Sequence, residues 1–332
     1  ENGEDVAFNS YPAALMPDYK ALRYITSPNH VVSDSKNHHP GIDNSGPFLS
    51  MNPFSSRCCQ HNHGFGWPYY AENLIYATPD NGIAAVLYNA CQAKVKVGNG
   101  TEVTIKEQTN YPFEEIIRFT LTTPEKVSFP LYLRIPSWCK DASIAVNGQK
   151  LGVDLISGKY AKITREWSDA DEIVLTVPMT FNYRQWQVNK NSVSVDYGPL
   201  SLSLKIDEDY QQKDSRQTAI GDSKWQEGAD ASAWPTYEIY PASPWNYALQ
   251  LNSPISVQRK EWPFDNNPFT LTNVPLEFKA KGRLIPEWKI DEYGLCGVLP
   301  YEDAPKADTL DEITLVPMGA ARLRIASFPT TE

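Results

Sequence analysis

The chain has 332 residues, enough for about two domains at roughly 150 residues each. Its 30 Lys and Arg against 40 Asp and Glu give a net charge of −10, which argues against a nucleic-acid backbone as partner, because such a partner needs a basic face. The longest apolar runs, such as Ile83 to Tyr88, fall far below the roughly 20 residues that span a bilayer, and a hydrophobic content of 41% excludes a disordered chain.

Pro (26) outnumbers Gly (18). Because Pro interrupts helices, this favours strands joined by stiff loops. Aromatics reach 12%, with 9 Trp and 18 Tyr, a load that suits thick β cores and flat sugar-binding surfaces. The chain begins at Glu1 without Met or a signal peptide and reads as a mature or truncated piece.

Residues 1 to about 80 show no strand alternation. The stretch Trp67 to Tyr76 is expected to form a helix with Pro68 in its first turn, ended by the turn signal Thr78-Pro79-Asp80-Asn81-Gly82. From Gly82 the period changes to two. Expected strands are 83–88, 93–97, 102–107, 114–122, 127–135, 143–146, 160–163 and 172–177. Pro130 marks its strand as an edge or a bulge. Asn99-Gly100, Asn147-Gly148 and Ser157-Gly158 are hairpin-type turns. Short strands at this spacing indicate a β-sandwich of jelly-roll type. Strands at 181–186, 192–196 and 200–206 then lead into a polar stretch, Asp207 to Asp230, read as a solvated loop. Strands resume near 238–240, 248–252 and 276–280. The tail, 312–316 and 321–326, alternates again and is expected to return to an earlier sheet.

All five histidines, His30, His38, His39, His61 and His63, lie between positions 30 and 63, and Cys58-Cys59-Gln60-His61-Asn62-His63 closes that window in a polar loop. Cys91 and Cys139 lie in apolar strand patterns and read as buried thiols; Cys296 is the same or half of one bridge. Thiolate and imidazole are zinc's preferred ligands, and zinc takes about four. The Cys-Cys pair is therefore either a metal or nucleophile site or an accident of loop composition. No zinc-finger spacing, His-Glu-x-x-His, Walker motif or Gly-x-Ser-x-Gly elbow is present.

Cys58-Cys59-x-x-Asn62, followed by Gly66-Trp67-Pro68-Tyr69-Tyr70-Ala71-Glu72-Asn73-Leu74 and Gly82-Ile83-Ala84-Ala85-Val86-Leu87-Tyr88, resembles glycoside hydrolase family 127, first described as domain-of-unknown-function family 1680. Leu133-Arg134-Ile135-Pro136-Ser137-Trp138 with Val146-Asn147-Gly148, and the tail Ile313-Thr314-Leu315-Val316-Pro317-Met318-Gly319 with Leu323-Arg324-Ile325 and Phe328-Pro329, are similar to the same family in the same order. The resemblance implies a bacterial β-L-arabinofuranosidase-type enzyme, an (α/α)6 barrel followed by β-sandwich domains. It implies a zinc held by a Glu-x-Cys pair and the Cys-Cys pair, with Cys58 as nucleophile and zinc ligand, Cys59 as zinc ligand, and a separate Glu as acid/base. No Glu-x-Cys precedes Cys58 in this chain, and too few residues precede it to build the barrel. Gln60 also stands where many relatives have Pro.

The remaining candidates each carry two readings. Tyr24 sits where the family has an active-site tyrosine, but tyrosine is also a packing residue. His61 and His63 make loop hydrogen bonds or substrate contacts more readily than they complete a zinc shell; Asn62 lies between them. Trp67 either stacks on sugar or packs. Glu72 is a helix cap or salt-bridge partner rather than a substitute acid. The expected architecture is mainly β: two jelly-roll-like β-sandwich domains preceded by the last segment of an (α/α)6 barrel. Residues 1–78 would be the barrel end, 79–180 plus 311–332 the first sandwich, and 181–310 the second. The expected function is the carboxy-terminal part of a secreted or periplasmic bacterial retaining glycoside hydrolase. It would act on plant-type, arabinofuranose-containing glycans, with zinc bound only in the complete enzyme and an amino-terminal barrel as the missing partner. The alternative is a noncatalytic carbohydrate-binding or scaffolding β-sandwich protein in which Cys58 and Cys59 are structural.

Overall fold

The computed structural model describes all residues except 24–25, 37, 39–49, 52–56, 219–226, 265 and 332, with backbone only at 50, 51, 57 and 58. The fold is mainly β, and two compact units divide it. One comprises Glu1–Glu4, Phe65–Phe181 and Tyr197–Pro199; the other Asp5–Gly64, Asn182–Asp196 and Leu200–Glu332. Among the described residues no helix is long and apolar enough to cross a membrane.

The first unit holds two sheets. The six-stranded sheet runs Gln149–Lys150, Ser143–Val146, Glu172–Thr176, Ile116–Thr122, Thr101–Gln108, Cys91–Val97. The four-stranded sheet runs Tyr160–Trp167, Val127–Arg134, Ile83–Ala85, Ile75–Ala77. Period-two patterning puts alternate residues on one face. Val103, Ile105, Ile117, Phe119, Leu121, Ile173 and Leu175 are buried from one sheet, and Ile83, Ala85, Leu131, Leu133 and Ile163 from the other. Trp167 is wholly buried beside Phe129 (centroids 5.8 Å apart) and donates its indole N–H to the Phe129 carbonyl at 3.0 Å, so its one polar atom is satisfied. Asn147 and Gly148 both have positive φ, 50° and 77°, the conformation that a two-residue hairpin turn demands.

Two expectations are corrected here. The helix begun at Gly66 ends at Glu72, and Tyr76 lies in the strand Ile75–Ala77. The Pro130 strand is interior rather than an edge: it pairs along its length with Tyr160–Trp167 and, over Leu131–Leu133, with Ile83–Ala85 in parallel. Proline is tolerated because the parallel partner begins only after it, at Leu131. The residue packed there is Gly82, where a Cβ would lie 2.1 Å from the Pro130 carbonyl oxygen. The expected turn does close this hairpin, with Thr78 N–H donating to the Gly82 carbonyl at 3.0 Å and Asn81 N–H to the Thr78 carbonyl at 3.1 Å.

In the second unit the main sheet runs Phe181–Trp186, Ser192–Tyr197, Leu200–Leu204, Asp311–Pro317, Leu276–Leu284, Tyr247–Gln250, Thr330–Thr331, with Ser256–Arg259 also paired to Leu276–Leu284. The tail therefore does not complete the first sandwich. Asp311–Pro317 lies between Leu200–Leu204 and Leu276–Leu284, so residues 311–332 belong with the second unit, and their alternation serves a sheet that sequence order could not assign. The stretch 207–230 is also not all loop: Glu208–Lys213 is a strand paired from Glu208↔Pro241 to Lys213↔Thr236. Its run Glu-Asp-Tyr-Gln-Gln-Lys has no apolar alternation to reveal it.

The tail anchors the start of this unit. Arg322, 1% exposed, donates from Nε to the Leu15 carbonyl (2.6 Å) and from Nη1 to those of Phe269 (2.7 Å) and Ala320 (2.9 Å). Arg324 donates from Nε to the Ser27 carbonyl at 2.9 Å, and Arg324–Ile325 pairs with Asn29–His30. The Asn29 side chain accepts from Ala326 N–H and Ser327 N–H at 3.0 and 2.9 Å.

Two outcomes follow from the first unit. Gly82→Ala forces a methyl onto backbone and is expected to cost about 1–3 kcal/mol, while Gly152→Ala, with nothing within 4 Å, is expected to be near neutral. Urea midpoints of the two variants check this. Separately, Glu107 is 1% exposed, and burial pushes its carboxyl up to about 9 from the ordinary 4.5. The folded state thus holds a proton that the unfolded state releases, and stability falls as pH rises between these values, at up to about 1.4 kcal/mol per pH unit. Glu107→Gln is expected to lose this slope; urea titrations from pH 5.5 to 8 measure it.

Candidate active site

The Cys-Cys segment is a helix, Arg57–Gly64, rather than the expected loop. The run has no Pro and no β-branched residue, and His61 and His63 fall in its last turn, where the helix dipole favours positive or donor groups. Helical spacing places position 58 on one face with 61 and 62, and position 59 with 62 and 63. Cys59 is half-buried; His61 and Asn62 are exposed.

His63 is tied down. Its ring stacks on Tyr11 at 3.7 Å between centroids and 15° between planes, and Nε2–H donates to the Tyr11 carbonyl at 3.0 Å. Partial burial lowers its pKa, so the ring is neutral at neutral pH. His63 thereby fastens the Cys-Cys helix to the Tyr11–Ala14 turn. Trp67 belongs to the next helix, Gly66–Glu72, in the first unit, where it meets Tyr70 edge-on at 5.9 Å. Glu72 ends that helix exposed and makes no ion pair among the described residues, neither the cap nor the salt bridge expected of it. Tyr24 and His39 lie outside the described residues, as does the side chain of Cys58.

The other two histidines are structural. His30 is buried in its two-residue strand, and burial holds its pKa well below the ordinary value. His38 sits between two acceptors, Asp34 Oδ1 at 2.5 Å and the Tyr293 carbonyl. Gly294, at φ +77°, packs on this ring; a Cβ there would lie 2.6 Å from His38 Cε1. The spacing of Asp34 and His38, four residues apart, was the signal available for this pair.

Sequence reading also missed the buried cations. Arg23, Arg322 and Arg324 are each about 1–2% exposed, and burial pushes all three pKa values down, that of Arg23 to about 10. Glu208 is their shared carboxylate; its Oε1 also accepts the backbone N–H groups of Arg322 and Leu323 at 2.7 and 2.8 Å.

The donor set is short of a zinc centre. Two thiols at consecutive helix positions are half of the roughly four donors zinc takes, and His63 is engaged by Tyr11. Among the described residues no group of three or more His, Cys, Asp and Glu comes together.

Family models match in two places: the GH127 β-L-arabinofuranosidase catalytic domain over residues 1–72 and the GH127 middle domain over residues 82–179. The chain belongs to glycoside hydrolase family 127. Among solved structures it is similar to a glycoside hydrolase (20% identity, TM-score 0.68, covering 99% of this chain and 48% of that one). It is similar also to Ara127N, a GH127 β-L-arabinofuranosidase from Geobacillus stearothermophilus T6 (19%, 0.65, 99% and 46%), and to a GH127 β-arabinofuranosidase (16%, 0.63, 98% and 45%). The chain thus spans about half the length of the solved structures it matches, and at these identities the likeness is one of fold. No curated protein matches.

The thiols differ in a way that can be measured. Burial pushes Cys139 and Cys296 up to about 11, and Cys91 rises further beside Glu107, so all three are protonated at neutral pH. Alkylation at pH 7.5 after chelation, mapped by mass spectrometry, is expected to label Cys58 first and the other three at least tenfold more slowly. First labelling at Cys91 or Cys139 would contradict this.

Proposed function

We propose that this chain is the carboxy-terminal part of a retaining glycoside hydrolase acting on arabinofuranose-containing, plant-type glycans, with Cys58 as its nucleophile. The observation that supports this most is the catalytic-domain match over residues 1–72, which contains the Cys-Cys pair. In this reading the residues up to about 78 are the last segment of the barrel, and the complete enzyme is secreted or periplasmic. Zinc in the complete enzyme is held by Cys58, Cys59 and further ligands from outside this chain.

A retaining glycosidase needs a nucleophile on one face of the anomeric carbon and an acid beside the leaving oxygen. The Cys58 thiolate attacks that carbon as its bond to the leaving oxygen breaks, and the oxygen takes a proton from a carboxylic acid. The resulting sulfur-linked glycosyl enzyme is hydrolysed by water, which returns its proton to the same carboxylate and releases the thiolate. The helix Arg57–Gly64, which carries position 58, is pinned by His63 on Tyr11. The acid is supplied from upstream of Glu1.

The test compares this chain with the protein extended upstream on an aryl β-L-arabinofuranoside with added zinc. The extended enzyme is expected to turn over and to lose activity on Cys58→Ala. The chain alone is expected to be slower by at least about 10²- to 10⁴-fold, the loss of general acid catalysis. Comparable rates would place the whole catalytic set within these 332 residues and refute the reading.

A further inference from the structure

We propose that the outer face of the four-stranded sheet is a second, noncatalytic saccharide-binding surface that takes a neutral glycan chain. It rests on the glycan-directed function above and adds a site that the Cys-Cys helix does not provide. The face is built by register. Tyr76 pairs with Ala84, Ala84 with Tyr132, and Tyr132 with Lys162, giving one row across four strands. The inward neighbours Ile83, Ala85, Leu131, Leu133, Ala161 and Ile163 are all buried, so strand alternation turns this row outward. Ala84 is the small member, flanked by tyrosines one strand away on either side, and the gap is a depression. Tyr160 stands on the same face two residues before Lys162. Tyr76 and Tyr160 are 44% and 46% exposed on the two edge strands, with Tyr132 on the strand next to Tyr160.

The depression is shallow and open to solvent, with a volume of about 410 Å³, and is lined by Thr78, Pro79, Asp80, Ala84, Tyr132 and Tyr160. That volume is in the range of small-molecule sites. Its lining includes two tyrosines and a proline, residue types that suit the C–H face of a sugar. Its polar edge is Asp80. Oδ2 accepts from the Tyr132 hydroxyl at 2.6 Å and from Lys162 Nζ at 3.0 Å, and Oδ1 accepts from the Thr78 hydroxyl at 2.5 Å. Lys162 Nζ lies 5.1 Å from the Tyr132 ring centroid. These bonds hold the Asp80 carboxyl well below its ordinary range, so it remains an acceptor in mildly acidic media. The carboxylate and the ammonium cancel. The pair offers no net charge to attract a polyelectrolyte, whereas sugar hydroxyls can donate to Asp80 and accept from Lys162. The charge balance therefore favours a neutral occupant.

The probe is neutral arabinan cast into a native gel, with polygalacturonate as the anionic control. Wild-type chain and Cys58→Ser are expected to be retarded equally by arabinan and not by polygalacturonate. Tyr160→Ala is expected to bind at least tenfold more weakly, and Tyr160→Phe, which keeps the ring, close to wild type. An unchanged thermal midpoint for each variant shows that the fold is intact. No retardation by arabinan, equal retardation of Tyr160→Ala, or preference for polygalacturonate would each overturn the surface. So would loss of arabinan binding through Tyr160 in the upstream-extended protein, since that face would then be covered by protein. Aryl arabinofuranoside turnover by the extended enzyme separates the two readings. Turnover unaffected by Tyr160→Ala, with polymer binding lost, supports both. Binding through Tyr160 without any turnover sinks the catalytic reading and leaves the surface standing, and turnover without such binding does the reverse.

Discussion

Two buried guanidinium groups near the carboxy terminus hold the start of the second unit in place. Arg322 and Arg324 donate to the carbonyls of Leu15, Ser27, Phe269 and Ala320, groups far apart in sequence that no regular element pairs. A buried carbonyl left without a donor costs about 1–3 kcal/mol, so these side chains set where residues 12–30 can run. That segment directly follows Tyr11, on which His63 of the Cys-Cys helix stacks. The position of the candidate nucleophile therefore depends on residues that follow it by more than two hundred and fifty positions, and folding of this unit must bring its two ends together. The strand Asp311–Pro317 in the middle of the main sheet imposes the same closure.

The first unit depends on a different constraint, close backbone approach. Gly82 lets the strand Ile83–Ala85 enter beside Val127–Arg134 in parallel, directly after Pro130. That entry brings Ala84 next to Tyr132 and makes the aromatic row on the outer face. One interior position thus fixes both the sheet order and the shape of the exposed surface. A buried charge network completes this unit: Arg134 pairs with Glu4 at 2.5 Å, donates to the Val86 carbonyl at 2.5 Å and lies 5.2 Å from the Tyr88 ring centroid. Burial raises the Glu4 carboxyl, while Glu4 and the surrounding tyrosines favour the charged Arg134. Such a pair is costly to break from one side, because the partner is left charged in a poorly solvated place.

The chemistry of the cysteines divides along the same lines. Thiols in or beside the strands are silenced by burial, and for Cys91 by the adjacent Glu107 as well. The pair at 58–59 stands instead on a short polar helix with two exposed neighbours. Burial argues against nucleophilicity at the first set. A metal would extend the difference by holding a thiolate, but this needs ligands that the described residues do not assemble.

The sequence by itself determined the family, the β character and the turns. Cys58-Cys59-x-x-Asn62 and Gly66-Trp67-Pro68 are local strings, and Asn147-Gly148 carries its backbone conformation in its own residue types. The strand 143–146 is legible to the residue because its alternation runs into the Asn147-Gly148 turn, and 181–186 also has its expected bounds. Of the candidate site, the cysteine pair was legible, but its helix was not, because its eight residues carry no apolar stripe to set a period. The tertiary structure alone decided that the tail joins the second unit, that the Pro130 strand is interior, and that Glu208–Lys213 is a strand. It alone gathered Arg23, Arg322 and Arg324 around Glu208, and Tyr76, Ala84, Tyr132 and Lys162 into one row. In each case the deciding interaction is a pairing between residues distant in sequence. Periodicity shows which face of a strand is buried, but which partner covers that face is fixed only when the sheets assemble.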